Sequence, residues 1–209
     1  MRAIKHIQNN LIFDGLLLLF FIPIYSLFSE MSLPAQTALF SLSFFTAFLL
    51  MIIRPLADIF VELPLLRKLV VLRKGLGILS ASIIVGFMLA KIMAPGSAYL
   101  ASIFSANFYS LKKFNLFAHS GDLSGLLLLI TSNKFSQKIL KGNWKRLQKL
   151  AYVYFYSSGI YEAFFLNNQF ALYALIVVTG LTSLAWAQQF FQQQTESPRK
   201  TFLKPSLHS

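Results

Sequence analysis

The sequence predicts an all-α integral membrane protein, a six-helix bundle with both termini in the cytoplasm. Two observations predict this class: an apolar composition and an uneven distribution of basic residues along the chain. Of the 209 residues, 56% are hydrophobic and 12% are charged, whereas soluble domains carry about 25% charged residues. The mean hydropathy is +0.62. This composition excludes a disordered chain and argues against a soluble enzyme.

Six apolar stretches are long enough to be spans, since a helix needs roughly 20 mainly apolar residues to cross the hydrocarbon core. They comprise residues 11–28, 36–53, 75–93, 114–131, 150–166 and 170–189. No cleavage motif of a signal peptide follows the first stretch, so we expect it to be a retained helix. The six stretches predict one membrane domain over 1–190. Residues 191–209 are polar, and they predict a disordered cytoplasmic tail.

Basic residues predict the orientation. The chain has 19 Lys and Arg against 7 Asp and Glu, for a net charge of +12. Sixteen of the 19 lie before the first stretch, in the second and fourth loops, or in the tail. The remaining three are Lys91, Lys112 and Lys113. Because Lys and Arg accumulate in cytoplasmic loops, this bias predicts six spans with both termini in the cytoplasm.

Composition and motifs also exclude several kinds of chemistry. The chain has no cysteine, which excludes disulfides and thiolate-bound zinc or iron–sulfur clusters. It has no nucleophile motif, metalloprotease motif, phosphate-binding loop or dinucleotide fingerprint. The basic residues lie in short loops between spans, so nucleic-acid binding is not expected. We predict no catalytic residue and no metal site.

Two acidic residues lie deep in the predicted spans, Asp122 in the fourth and Glu162 in the fifth. A charge inside the membrane is costly, so each is a candidate for a proton path or a ligand contact. The alternative is a polar residue paired to a neighbouring helix. His119 precedes Asp122 by three residues and shares its helix face, as a titrating couple or as a structural hydrogen-bonded pair.

The fifth stretch is rich in tyrosine and in small residues. Ser157, Ser158 and Gly159 are expected to let a neighbouring helix approach closely. Tyr152 and Tyr154 could form an aromatic belt at the membrane interface. Tyr161 is expected to face the interior of the bundle.

Two segments resemble the ferric-reductase-like transmembrane domain family, and within it the bacterial MsrQ/YedZ branch. IIRPLADIFVELPLLRKLVVLRKGLGIL, residues 52–79, is similar to the family's link between its second and third helices. Thr131-Ser132, followed by Trp144, Leu147 and Tyr152, resembles the family pattern TS…W-x-x-L-H-x-L-x-Y, and the preceding KKFNLF resembles the RPY motif. The resemblance covers residues 36–190.

The resemblance implies a haem b membrane subunit in the bacterial inner membrane, with histidine ligands on the third and fifth helices. Those histidine positions fall on Phe87, Gln148 and Tyr161. Phenylalanine cannot coordinate iron and glutamine is a poor ligand, whereas a tyrosine phenolate can bind ferric iron. We therefore expect no cofactor, with Tyr161 and His119 as the remaining candidates for haem ligation.

The sequence leaves three functions open. The first is a haem-free relative of the electron-transfer subunit that acts as a scaffold or assembly partner. The second is an active transmembrane electron-transfer subunit with atypical ligation. The third is a small transporter that uses Asp122 and Glu162. The expected partners are the lipid bilayer and a periplasmic or membrane redox protein.

Overall fold

The computed structural model describes residues 2–97, 99–105, 109–111 and 115–201, with side chains through residue 191. Within these ranges the regular structure is entirely helical, which confirms the predicted all-α class. Lys112 and Lys113, the KKF of the RPY-like segment, and residues 202–209 of the tail lie outside the described residues.

The long helices are α1 (Arg2–Phe28), α2 (Leu33–Ile59), α4 (Arg73–Met93), α6 (Asn115–Thr131), α9 (Leu150–Ile160) and α10 (Gln169–Thr201). Four shorter helices connect them: α3 (Pro64–Leu69), α5 (Tyr99–Ile103), α7 (Lys134–Leu140) and α8 (Gly142–Leu147). A 3-10 turn, Val70–Leu72, joins α3 to α4, and a π-turn, Tyr161–Phe165, extends α9. The predicted second and fourth loops are therefore largely helical.

Among the described residues, four helical segments are long and apolar enough to cross a membrane. They are Arg2–Phe28, Leu33–Ile59, Pro64–Met93 and Gln169–Phe191, with mean hydropathies from 1.8 to 2.2 over their best windows. The predicted fourth and fifth stretches are also helical. However, α6 has 17 residues and α9 has 11, continued by the 5 residues of the π-turn. These lengths lie at the lower limit for a spanning helix, roughly 17 residues.

Several helices extend beyond the apolar stretches that predict them. α1 begins at Arg2 and α2 continues through Arg54 to Ile59. Hydrophobicity marks only the part of a helix that lipid surrounds, and the backbone hydrogen bonds continue into the polar region. α10 likewise runs to Thr201, beyond the predicted domain boundary at residue 190. The disordered tail over 191–209 stays a prediction.

Contacts between side chains give the relative directions of the helices. Gly75 and Gly86 of α4 lie against Gln8 and Ile22 of α1, so these two helices run parallel. α2 runs antiparallel to α4, since Phe40 stacks on Phe87 while the Leu50 carbonyl accepts a bond from Arg73.

α6 and α9 are antiparallel, because Gly121 contacts Ser158 and Gly125 contacts Tyr154. α10 runs parallel to α2, with Phe170 near Phe44 and Gln189 near Asp58. The six long helices thus alternate in direction.

The core has two parts. One joins α2, α9 and α10, with Phe155 and Val178 fully buried and Phe44 stacked on Phe155. The other joins α1 and α4 around Ile22 and Ile83. Large apolar side chains are exposed on the outer faces, among them Phe20 on α1 and Ile176 on α10. An apolar outer surface is what a bilayer requires, and the four segments that are long and apolar enough to span make a multi-pass membrane protein plausible.

The contact between α1 and α4 depends on a glycine. A Cβ atom built on Gly15 would lie 2.9 Å from the Cα of Leu79, a backbone atom that cannot move aside. We expect Gly15→Ala to destabilise the protein by about 1–3 kcal/mol, as overpacking of a core does. Thermal unfolding in detergent, followed by tryptophan fluorescence, measures the effect.

Gly180→Ala is the matched control, because nothing lies within 4 Å of the Cβ position at Gly180. We expect no loss of stability for this variant, since alanine is the better helix former by about 1 kcal/mol. Equal melting temperatures for the two variants would contradict the proposed close packing of α1 on α4.

Candidate functional site

A cavity lies between the long helices, at the end of the bundle where α2 terminates and α4 begins. Its volume is about 770 Å³, within the range of small-molecule sites, roughly 300–1,000 Å³. Five cationic side chains line it, and we call the end where they lie the basic end. They are Arg54, Arg73, Lys74, Lys145 and Lys149.

The two arginines of the basic end are held in place by neighbouring groups. Arg73 Nε donates a hydrogen bond to the Leu50 carbonyl, at 3.2 Å. Arg54 Nε lies 3.6 Å from Asp58 Oδ2, which also accepts a bond from Gln189 at 3.4 Å. Asp58 is the single acidic side chain among the lining residues described. The cavity wall therefore carries an excess of positive charge.

Ser80 and Tyr154 line the cavity, and their hydroxyls form a cluster with the hydroxyl of Ser43, which we call the hydroxyl cluster. Tyr154 of α9 is buried, and its hydroxyl lies 3.0 Å from Ser43 Oγ and 2.8 Å from Ser80 Oγ. Ser43 Oγ donates to the Ser80 carbonyl at 3.0 Å, and Ser80 Oγ donates to the Ser43 carbonyl at 2.8 Å. With both serine protons used in this way, the Tyr154 hydroxyl donates to a serine oxygen. The cluster joins α2, α4 and α9.

Tyr154 therefore has a different place from the one predicted. The expectation of an interfacial belt is wrong for this residue, because it is 7% exposed and its ring lies against Gly125. Tyr152 is 40% exposed. The prediction for the small residues fits the contacts: Ser157 Oγ accepts a bond from Ser120 Oγ at 3.0 Å, and Gly159 packs against Leu175.

Two polar atoms of the cavity wall lack a hydrogen-bond partner within the described part of the chain. They are Gln148 Nε2 and Thr182 Oγ1, and both atoms are buried. An unsatisfied buried donor costs roughly 1–3 kcal/mol, so such atoms call for a ligand or a water molecule. Near them, Trp144 Nε1 donates to the Thr131 carbonyl at 3.0 Å, which joins two residues of the TS…W pattern.

The three positions that the resemblance assigns to haem ligands have separate surroundings. Phe87 stacks on Phe40 at 4.5 Å and packs beside Ile22 in the α1–α4 core. Gln148 lines the cavity at the basic end. Tyr161 stacks on Phe165 at 5.0 Å in the π-turn. None of the three supplies an imidazole nitrogen, and the Phe87 ring is occupied in packing. These residues do not fit a bis-histidine haem.

The other candidate ligand, His119, lies beside Asp122 on α6. His119 Nδ1 is 3.7 Å from Asp122 Oδ2, a distance that exceeds that of a hydrogen bond. Lys91 Nζ lies 5.6 Å from the centre of the Tyr99 ring. Burial, with a smaller contribution from Asp122, raises the pKa of Tyr99 to about 12. These residues form a polar group at the end of the bundle opposite the cavity.

Glu162 forms part of the connection between α9 and α10. Its Oε2 accepts a hydrogen bond from Asn168 Nδ2 at 2.8 Å, and its carbonyl accepts from Asn168 N at 3.0 Å. Asn167 between them has φ +53°, a left-handed conformation that asparagine tolerates. Glu162 and Asp122 thus have different partners. Among the described residues, no group of three His, Asp or Glu side chains could hold a metal ion.

Sequence reasoning did not predict the cavity. The sequence does contain part of the evidence for the hydroxyl cluster, because Ser43 and Ser80 are hydroxyl residues in the middle of apolar stretches. Such residues find partners on neighbouring helices. Which residue supplies the partner is not readable from one stretch, because Tyr154 is 74 positions from Ser80.

The hydroxyl cluster generates a prediction about stability. Tyr154→Phe removes the hydroxyl that joins α9 to α2 and α4, and we expect a loss of about 1 kcal/mol. Tyr152→Phe is the matched control and should be neutral. Unfolding in mixed micelles gives both values, and a double-mutant cycle with Ser43→Ala isolates the coupling. A coupling of zero would contradict the shared hydrogen bond.

Comparisons with protein-family models, with curated proteins and with solved structures find no match to this chain. The resemblance to the ferric-reductase-like domain therefore stays a prediction. The function has to be argued from the residues and their contacts.

Proposed function

We propose that this chain is a haem-free relative of the ferric-reductase-like membrane subunits, which serves as a scaffold or assembly partner for a periplasmic or membrane redox protein. One observation carries the proposal: the three ligand positions hold Phe87, Gln148 and Tyr161, each with surroundings unrelated to iron binding. A six-helix layout without imidazole ligands retains the shape of such a subunit and loses the means to hold its haem.

The proposal includes six spans with both termini in the cytoplasm. The alternating directions of the six long helices support it, as does the cavity, which gathers cations from the two loops predicted to be cytoplasmic. α1 begins near this end, because Gly75 contacts Gln8, and α10 returns to it, because Gln189 contacts Asp58. Positive charge concentrated at one end favours that end as the cytoplasmic one.

The absence of native cysteine makes the orientation directly testable. Lys68→Cys and Lys138→Cys, near the basic end, should react with a membrane-impermeant maleimide only after the membrane is permeabilised. Ser97→Cys, in the exposed connection after α4, should react in intact spheroplasts. The cysteine-free parent is the control. Labelling of position 68 or 138 in intact spheroplasts would refute the proposed topology.

An absorption spectrum tests the absence of haem. The protein, expressed with excess haem precursor and purified in detergent, should show no Soret band in the oxidised form and no shift after reduction with dithionite. A reducible band would refute the proposal and support electron transfer with atypical ligation, and its loss in Tyr161→Phe or His119→Ala would identify the ligand.

A transporter that uses Asp122 and Glu162 is the remaining alternative. Their separate local partners, His119 and Asn168, favour structural roles over a shared path. Proton or solute flux into vesicles that is lost in Asp122→Asn and Glu162→Gln would favour the transporter over the scaffold.

A further inference from the structure

We propose that the cavity at the basic end binds an anionic membrane phospholipid, with the phosphate headgroup among the cations and part of one acyl chain directed toward the hydroxyl cluster. This inference does not depend on the redox proposal, although Gln148, one of the three haem positions, lines the same cavity. It rests on the charge of the cavity, on its shape and on its unsatisfied polar atoms.

The charge of the cavity selects an anion. Five cations and one carboxylate line it, and the carboxylate, Asp58, is already shared between Arg54 and Gln189. Three of the cations, Lys74, Lys145 and Lys149, have exposed side chains that are free to turn toward a headgroup. Phosphate is a strong acceptor for several such donors at once.

The inner walls of the cavity favour a ligand that has an apolar part beyond its anionic group. Ala47, Met51 and Phe155 line the cavity beyond the cations. Ser80 lies seven positions after Arg73 on α4, and Ala47 lies seven positions before Arg54 on α2. At 1.5 Å per residue each interval is about 10 Å deep. A soluble phosphate or a free inorganic anion would leave this apolar depth unfilled.

Two further features favour a ligand that enters from the bilayer. Trp186 lines the cavity and is 71% exposed on the outer face of α10, so the cavity adjoins the apolar surface of the bundle. Tryptophan at such a position is typical of the headgroup level of a membrane. Gln148 and Thr182 also line the cavity, and rotation of these two side chains would present Nε2 and Oγ1, donors that are unpaired within the described part of the chain, to headgroup or ester oxygens.

The chain offers a built-in probe for this site. It has two tryptophans, and both Trp144 and Trp186 line the cavity. In Trp186→Phe, the remaining Trp144 reports on the cavity alone, with its indole fixed by the bond to the Thr131 carbonyl. The full-length variant is placed in phosphatidylcholine nanodiscs, and phosphatidylglycerol with brominated chains is added at increasing mole fraction. Brominated phosphatidylcholine is the matched neutral quencher.

We expect saturable quenching of Trp144 by the brominated phosphatidylglycerol, at a mole fraction several-fold below that needed for brominated phosphatidylcholine. Lys74→Gln/Lys145→Gln/Lys149→Gln should raise the required fraction by about tenfold. The control Lys68→Gln/Lys134→Gln/Lys138→Gln removes the same charge from exposed lysines outside the cavity and should keep the preference. The variant Lys74→Arg/Lys145→Arg/Lys149→Arg retains the charge and should also keep the preference for phosphatidylglycerol.

Equal quenching by the two lipids in the Trp186→Phe protein would overturn the proposal, and this comparison does not depend on the folding of any charge variant. Equal losses in the cavity and control triple variants would overturn it as well, because the effect would then be a general surface attraction. Displacement of the lipid signal by millimolar glycerol phosphate would assign the cavity to a soluble anion instead.

Discussion

The hydrogen bonds among Ser43, Ser80 and Tyr154 are the constraint around which the bundle is arranged. In an apolar interior, a hydroxyl without a partner costs far more than one exposed to water. Each of these residues comes from a different helix, so their bonds fix the relative heights of α2, α4 and α9. The Tyr154 ring also lies against Gly125, which brings α6 to the same level. Tyr154 is itself part of the core that joins α2, α9 and α10.

The two ends of the bundle, on either side of the hydroxyl cluster, differ in how their polar residues are arranged. At the basic end, α2, α4, α9 and α10 line a cavity that reaches Ser80 and Tyr154 of the hydroxyl cluster. At the opposite end, the polar side chains are paired locally, His119 with Asp122 and Glu162 with Asn168. A local pair satisfies its own charge or hydrogen bonds and leaves little capacity for a path through the bundle. The arrangement favours a structural role at one end and a binding site at the other.

The concentration of basic residues in two loops has two consequences. Basic residues of cytoplasmic loops orient a membrane protein during insertion, whatever they later contact. Here α3, the 3-10 turn and α8 lie in the two loops that the charge bias predicts to be cytoplasmic, and Arg73, Lys74 and Lys149 line one cavity. The basic residues whose distribution predicts the topology are therefore also the residues that we propose to bind the lipid headgroup. The excess of cations over acids is what makes an anionic lipid the fitting occupant.

The sequence alone determined the all-α class, the approximate position of each long helix and the concentration of basic residues in two loops, because hydrophobicity and charge are properties of single stretches. The resemblance to the ferric-reductase-like family, which stays a prediction, places the family's histidine ligands at Phe87, Gln148 and Tyr161. Only the tertiary structure decided that Tyr154 is buried, that Glu162 bonds to Asn168, and that the basic loops line a common cavity. These features depend on contacts between helices far apart in the chain. Such contacts are set by packing and by the need to satisfy buried hydroxyls, which no single stretch encodes.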